Sequence, residues 1–167
     1  MQVEGKIVLV RVDNRLVHGQ VGGPWSASLD VNVLVVVDDE VVLDPLQQRL
    51  MEFVAKSNNI RILFFSIDEF VEAVQDSSPH SKMFLVVRNV QTVKKLLEKD
   101  LPIDAVNLGN MHYEKGKVPL SRKVYINEED AVSIQSILDH GVTCFVQDVP
   151  GSYREEVTTL IHIKFKK

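Results

Sequence analysis

The chain has 167 residues, 45% of them apolar and 25% charged, with 19 Lys and Arg against 23 Asp and Glu for a formal charge of −4. That is one domain's worth, expected to span residues 1–167, able to bury roughly 70% of its unfolded surface without a disulfide or metal staple. Its composition excludes a disordered, collagen-like or coiled-coil chain, and the absence of a general basic field speaks against nucleic acid as the main partner.

The first residues carry no charged, apolar and small-residue sequence of a signal peptide. The first apolar run, Ile7-Val8-Leu9-Val10, has strand length. The segment Gln20 to Leu29 is expected to be a helix, with Trp25 as its core-facing anchor and Gly22-Gly23-Pro24 delaying its start. Val33 to Val37 is the longest apolar run, far too short to span a bilayer, so a cytoplasmic protein is expected. Pro45 opens a helix whose Leu46, Leu50, Phe53 and Val54 form an apolar stripe. Ile60 to Phe65 is the next strand, and Ser66 with Glu69 makes a capping box for a helix carrying Ile67, Phe70, Val71 and Val74. Asp76 to Ser81, with His80, reads as an exposed polar loop. Met83 to Val87, a helix behind Asn89 (Val90, Val93, Leu96, Leu97), Ala105 to Leu108 and Val124 to Ile126 follow. A helix behind Asn127 (Ala131, Ile134, Ile137, Leu138) runs to His140 and Gly141, then comes Cys144 to Val146. The last helix starts after Pro150-Gly151-Ser152, and Lys164-Phe165-Lys166-Lys167 is a solvated basic tail.

Solid apolar runs alternating with helical stripes indicate strands covered on both faces: an α/β domain with a mostly parallel sheet. The single cysteine, Cys144, reads as a buried thiol. No dinucleotide or P-loop signature occurs, and the histidines form no metal-ligand pair.

In open α/β sheets ligands bind beyond the carboxyl ends of the strands. The densest cluster of chemistry in the chain lies there: Arg11, Asp13, Asn14, Arg15 and His18, followed by Gly19 and Gln20. Two guanidinium groups and a helix start suit an anion such as phosphate, and an imidazole can carry a phosphoryl group as a covalent intermediate. Gly19 offers an unusual backbone angle or a close approach. The same residues would equally make a polar loop in which the arginines pair with Asp13 and His18 is merely exposed. A second cluster, Asp38-Asp39-Glu40, suits magnesium, an aspartyl phosphate of the receiver type, or a solvated turn. His112 follows the fifth run and either lines the same crevice or is structural.

The segment Arg11-Val12-Asp13-Asn14-Arg15-Leu16-Val17-His18-Gly19-Gln20-Val21, with Trp25, closely resembles the active-site loop of IIB components of the bacterial phosphoenolpyruvate-dependent sugar phosphotransferase system, in its mannose/fructose/sorbose family. The likeness continues through Val35 to Val41 and through Val106-Asn107-Leu108-Gly109-Asn110-Met111-His112. It implies an open, mostly parallel twisted sheet of about seven strands, one antiparallel, with helices on both faces. It implies a phosphocarrier whose His18, through Nδ1, takes a phosphoryl group from a IIA phosphohistidine and hands it to a sugar entering through membrane IIC and IID components. Such a carrier is cytoplasmic and peripheral to the inner face of the plasma membrane, with homo-oligomerisation left open. Arg11, Arg15, Asp13, Asn14, Gly19 and Gln20 are then the phosphate-binding set, with no metal and no cofactor. Leu16, Val17 and Trp25 either rim the site or pack beneath it. Departures are Asn14 for a second aspartate, Gly22-Gly23-Pro24, and Asn110 for a glycine; Asn110-Met111-His112 is similar to some amino-sugar members. A receiver-like domain centred on Asp38 or Asp39, and passive binding of a phosphorylated metabolite at the Arg11/Arg15 loop, are the rival readings.

Overall fold

A computed structural model describes residues 3–75 and 81–165. The chain starts with β1 (Val3–Glu4) and β2 (Lys6–Asp13), then a π-helical turn (Val21–Trp25) that continues into α1 (Ser26–Leu29). Next come β3 (Val33–Val37), a 3-10 turn (Val41–Leu43), α2 (Pro45–Ser57), β4 (Arg61–Phe65), α3 (Ile67–Ala73) and β5 (Val74–Gln75). They are followed by β6 (Lys82–Val87), α4 (Val90–Glu98), β7 (Ala105–Asn110), β8 (Val118–Ser121) and β9 (Val124–Ile126). The chain closes with α5 (Glu128–Asp139), β10 (Thr143–Val146), β11 (Glu155–Glu156) and α6 (Val157–Phe165).

Seven strands form the central sheet in the order β11-β10-β7-β2-β6-β3-β4, parallel throughout except for β11 against β10. This is the expected class. One strand differs. Val124–Ile126 is not in the central sheet; it pairs with Val118–Ser121 in a separate antiparallel hairpin. The seventh place is taken by Glu155–Glu156, which has no apolar run to announce it.

Side chains alternate across the sheet with period two. Val10, Val12, Val33, Val35, Val37, Met83, Leu85 and Val87 face one core with Phe70, Leu96, Ile134 and Val157. Leu9, Leu34, Val36, Phe84, Val86 and Phe145 face the other with Val21, Trp25, Met51 and Ala55. Each such fully buried side chain contributes roughly 1.5–3 kcal/mol. The helices are capped as their sequences indicate. Ser66 and Glu69 close a reciprocal capping box on α3, Asn89 caps α4 through the Thr92 amide, and Asn127 with Asp130 makes a second box on α5. His140 ends α5 with Nδ1 2.7 Å from the Ser136 carbonyl, and Gly141 follows at φ 80°. Cys144 is buried, and burial pushes its thiol up to about 12. The segment 76–80, including His80, lies outside the described residues, as do Lys166 and Lys167, whereas Lys164 and Phe165 belong to the last turn of α6.

Two helical expectations change. The first helix does not start late: His18 O accepts from the amides of Val21 and Gly22, and the turn begins directly after His18. Pro24 is absorbed by the π-turn, in which the Ser26 amide reaches back to the Val21 carbonyl. The glycines admit α2, because a Cβ on Gly22 would collide with Val54. On α2 the apolar stripe splits: Val54 packs inward against Gly22 and the core, and the rest faces outward. Leu46, Leu50 and Phe53, together with Leu43, are 63–83% exposed, while Met51 and Ala55 face the core.

Candidate active site

β2 lies at the centre of the sheet, between β6 and β7. The chain leaves it toward β3 and β4 on one side, and β7 and β10 fill the other, so the crevice for a ligand falls at the carboxyl end of β2. Strand alternation puts Leu9, Arg11 and Asp13 on the face covered by the first helix. Arg11 and Asp13 are therefore strand residues, not loop residues, and both are fully buried.

The Arg11 guanidinium is committed at every edge. Nε and Nη2 donate to Asp13 Oδ2 at 3.3 and 3.1 Å, and Nη1 donates to Asn107 Oδ1 (2.7 Å) and to the carbonyls of Asp148 (3.0 Å) and Gln147 (3.2 Å). Its Cζ sits 5.4 Å from the centre of the Trp25 ring, whose Nε1 donates to the same Asp148 carbonyl. Asn107 is the register partner of Arg11 across β7, and its Nδ2 also donates to Gln147 O. The next position on β7, Leu108, pairs with Val12, after which the register shifts so that Asp13 faces Asn110. Gly109 is the extra residue of that bulge, and a Cβ on it would fall directly on the Arg11 guanidinium. Burial pulls the Arg11 guanidinium below its ordinary value, with Asp13 pulling the other way. A charge in so dry a place persists only because it is paired and hydrogen-bonded.

Asp13 gathers the opposite side. Oδ1 accepts from the Arg15 amide (2.9 Å), and Oδ2 accepts from Arg11 and from His18 Nε2 (2.9 Å). Burial alone would push this carboxyl up. The His18 hydrogen bond, the Arg15 amide and the Arg11 charge outweigh it and hold the group below its ordinary value of 3.8. An ionised carboxylate only accepts, so Nε2 carries the ring proton and the Nδ1 lone pair is left free. Among the described residues Nδ1 has no hydrogen-bond partner. The His18 side chain is 19% exposed, so the ring is seated in the surface with one edge reachable.

The loop between them is tight. Leu16 N donates to Asp13 O, and Leu16 adopts φ 58°, a left-handed conformation costly for a branched side chain. Leu16, Val17 and Trp25 are all buried, so they pack beneath the site and do not rim it. Gly19 has no positive φ, and a Cβ there would meet nothing; its contribution is open space beside His18. The amides of Gly19 and Gln20 lie in the first turn of the helix, where donors lack intrahelical acceptors. Gln20 is half-buried, with Oε1 buried and unpartnered among the described residues. Asn14 is a brace: Oδ1 accepts from the His112 amide (2.6 Å) and Nδ2 donates to Arg88 O (3.2 Å). Arg15 is the more open arginine, its side chain 51% exposed and held, among the described residues, only by a 3.5 Å ion pair from its Nε to Asp13.

The acidic turn after β3 is closed. Asp38 is buried in a two-point pair with Arg88 (3.1 and 3.0 Å) and accepts from the Val41 amide. Asp39 accepts from the Ile67 amide, and Glu40 points into solvent. A phosphoryl group on Asp38 would first have to break the Arg88 pair. His112 is exposed, 3.4 Å from Glu114, and lies across Asn14 from the His18 loop. Sequence reading placed Asn107 and Gly109 in the family likeness without assigning them a role, and it missed the carbonyls of Gln147 and Asp148. The two carbonyls are backbone atoms and carry no residue-type signal of their own.

Residues 7–167 match the family model described as "PTS system sorbose subfamily IIB component". The chain is 44% identical over 151 residues to an N-acetylgalactosamine-specific phosphotransferase enzyme IIB component 1 of Escherichia coli, covering 90% of this chain and 96% of that one. The crystal structure of an N-acetylgalactosamine-specific IIB component 1 from Escherichia coli superposes with a TM-score of 0.86 at 45% identity, over 90% of this chain and 98% of the other. A PTS-dependent N-acetyl-galactosamine IIB component from Streptococcus pyogenes superposes at 0.85 with 33% identity, over 93% and 97%.

Proposed function

The chain belongs to the sorbose-subfamily IIB components of the sugar phosphotransferase system, a phosphotransferase family of sugar uptake, and from that premise we propose that His18 is its phosphoryl carrier. The observation that carries this reading is the 2.9 Å bond from His18 Nε2 to buried Asp13, which leaves Nδ1 as the nucleophilic nitrogen at a reachable edge.

The donor is a IIA phosphohistidine. Its P–N bond breaks as the Nδ1 lone pair of His18 forms the new one, and the donor imidazole leaves with the electron pair. The phosphorylated ring keeps its proton on Nε2 and carries a positive charge, which the Asp13 carboxylate stabilises at hydrogen-bond distance. Transfer of this kind asks the protein mainly for position and charge. Arg15, on the exposed side, and the first-turn amides of Gly19 and Gln20 stabilise the equatorial oxygens. Arg11 does not reach the phosphoryl group; it fixes Asp13, which fixes the ring. In the second step a sugar hydroxyl presented with the membrane IIC and IID components takes the phosphoryl group: the O–P bond forms as the P–N bond breaks, the P–N electron pair returns to Nδ1, and the hydroxyl proton passes to water. The protein works in the cytoplasm at the inner face of the membrane. Its sugar is of the N-acetylgalactosamine class, as the names of the relatives above suggest.

Incubation with phosphoenolpyruvate and the upstream carriers tests this. Acid-labile, base-stable phosphate on the wild-type protein and none on His18→Ala is the expected result. Hydroxylamine-labile phosphate that survives in His18→Ala would instead mark an aspartate, and no label at all with competent donors would leave a passive phosphate-binding module.

A further inference from the structure

Arg11 can fix Asp13 only as well as Arg11 is itself held, and its far edge is held by backbone. Nη1 points to the carbonyls of Gln147 and Asp148, two consecutive residues just beyond β10. Each carbonyl serves twice. Gln147 O also accepts from Asn107 Nδ2 (3.0 Å), and Asp148 O from Trp25 Nε1 (2.9 Å). In an extended strand successive carbonyls point to opposite edges. Two in a row aimed at one guanidinium require a bend, and Gln147-Asp148-Val149-Pro150-Gly151-Ser152 supplies it.

The bend is closed by its own side chains. Ser152 Oγ donates to Val149 O (2.6 Å) and accepts from the Val149 amide (3.2 Å), and the Ser152 amide donates to the same carbonyl (3.1 Å). Gln147 Nε2 donates to Ser152 O (2.9 Å), and Gly151 takes the left-handed conformation at φ 85°. From outside, Lys123 of the β8–β9 hairpin pairs with Asp148 Oδ2 at 2.6 Å, whereas Asp148 Oδ1 is buried and unpartnered among the described residues. A buried oxygen without a partner is a cost, and the turn bears it while both carbonyls face inward. Among the described residues, neither Gln147 nor Ser152 makes a hydrogen bond to His18.

We infer that Gln147 and Ser152 are positioning residues for phosphoryl transfer: they shape an acceptor cradle for Arg11, and through it they set the orientation and the ring-proton position of His18. The coupling atom is Asp13 Oδ2, the single oxygen that accepts from Arg11 Nε, Arg11 Nη2 and His18 Nε2. A guanidinium that loses its backbone acceptors has a buried N–H to satisfy. It turns toward the acceptors that remain, and the oxygen that feels the turn is the one His18 depends on. The Nε2 bond weakens, the ring proton is freer to move to Nδ1, and a protonated Nδ1 has no lone pair to attack with. The inference rests on the reading of His18 as the carrier.

Three variants test it. Ser152→Ala removes both Oγ bonds, Ser152→Thr keeps the oxygen, and Gln147→Leu removes the tie from the other end. Each is compared with the unsubstituted chain by rapid-quench labelling of His18 from phosphoenolpyruvate and the upstream carriers. Nitrogen-15 shifts of the His18 ring report its tautomer, and the Trp25 indole proton resonance reports the Asp148 carbonyl directly. Ser152→Ala and Gln147→Leu should label about tenfold more slowly, the scale of one hydrogen bond. Their ring nitrogens should drift from the Nε2–H pattern toward a mixture, the indole resonance should move, and Ser152→Thr should restore all three. A merely structural role would lower the melting point and leave the ring shifts and the labelling rate at wild type. That result, or a slowing that Ser152→Thr does not rescue, would overturn the inference. Where Ser152→Ala does not fold, Gln147→Leu decides. If the unsubstituted chain takes no label, the carrier reading falls, and the ring and indole resonances still decide the turn.

Discussion

Two aspartate–arginine pairs stand at the carboxyl ends of strands in this sheet, and only one of them is open. Asp38 and Arg88 satisfy each other at two points, and the Val41 amide takes up part of the remaining capacity. Asp13 and Arg11 are more deeply buried, yet Asp13 reserves a lone pair for His18, whose other nitrogen is left free. The same two residue types build a closed brace in one place and the support of an imidazole with a free nitrogen in the other. The third partner decides: a backbone amide ends the network, whereas an imidazole passes it on to the surface.

Asp13→Asn is the sharpest way to break the contrast. The amide can donate to Nε2 and so moves the ring proton to Nδ1. Labelling of His18 should slow by about 10³–10⁴-fold, the scale seen when a histidine-orienting carboxylate becomes an amide. The variant also leaves Arg11 without its charge partner, costing about 3–5 kcal/mol in a denaturant titration. A variant that labels at the wild-type rate would remove Asp13 from the mechanism. Arg15→Ala comes next: labelling slows by about 10²–10³-fold, while stability moves by no more than ~0.5 kcal/mol because the side chain is half in solvent. Rapid-quench phosphorylation and a melting curve on one sample separate the two effects. Gly109→Ala should cost about 1–3 kcal/mol by overpacking the buried guanidinium, and it should slow labelling although Gly109 touches no phosphate. Asp38→Asn should cost about 1–3 kcal/mol, one charged hydrogen-bond pair, with the labelling rate unchanged; a labelling defect there would revive the receiver-like reading.

The smallest effect is in acid. Asp13 is held below 3.8 in the folded chain, so its contribution is fully present above that value and is lost as the pH falls below it, through the depressed value. The stability gap between wild type and Asp13→Asn should therefore narrow only below pH 3.8. A gap already closing near neutrality would mean that Asp13 is not the charged centre of the network.

The strands of the central sheet were legible because both faces are covered, which turns a strand into a solid apolar run. Glu155–Glu156 was not, since a two-residue edge strand has no pattern of its own. The helix caps were legible because a cap is local: Ser66 and Glu69 meet across one turn. The Arg11 to Gln20 segment was legible in composition and not in depth. Whether Arg11 grips a ligand or sits in the core depends on Asn107, on Gly109 and on the carbonyls of Gln147 and Asp148, nearly a hundred or more positions away. No local pattern encodes those contacts. The α2 stripe shows the opposite limit. Its period is real, but period does not say which face is inside. Met51 and Ala55, with Val54 closing on Gly22, supply the face that turns inward, and Leu46, Leu50 and Phe53 are left outside.

That outward stripe has a consequence at the bench. Leu43, Leu46, Leu50 and Phe53 give a 167-residue chain an exposed apolar seam, and a net charge of −4 sets only a weak repulsion between copies against it. Raising sulfate first screens that repulsion and then favours removal of apolar surface from water. The protein should salt out early and be retained strongly on a hydrophobic column. Leu50→Lys should elute ahead of it without loss of fold.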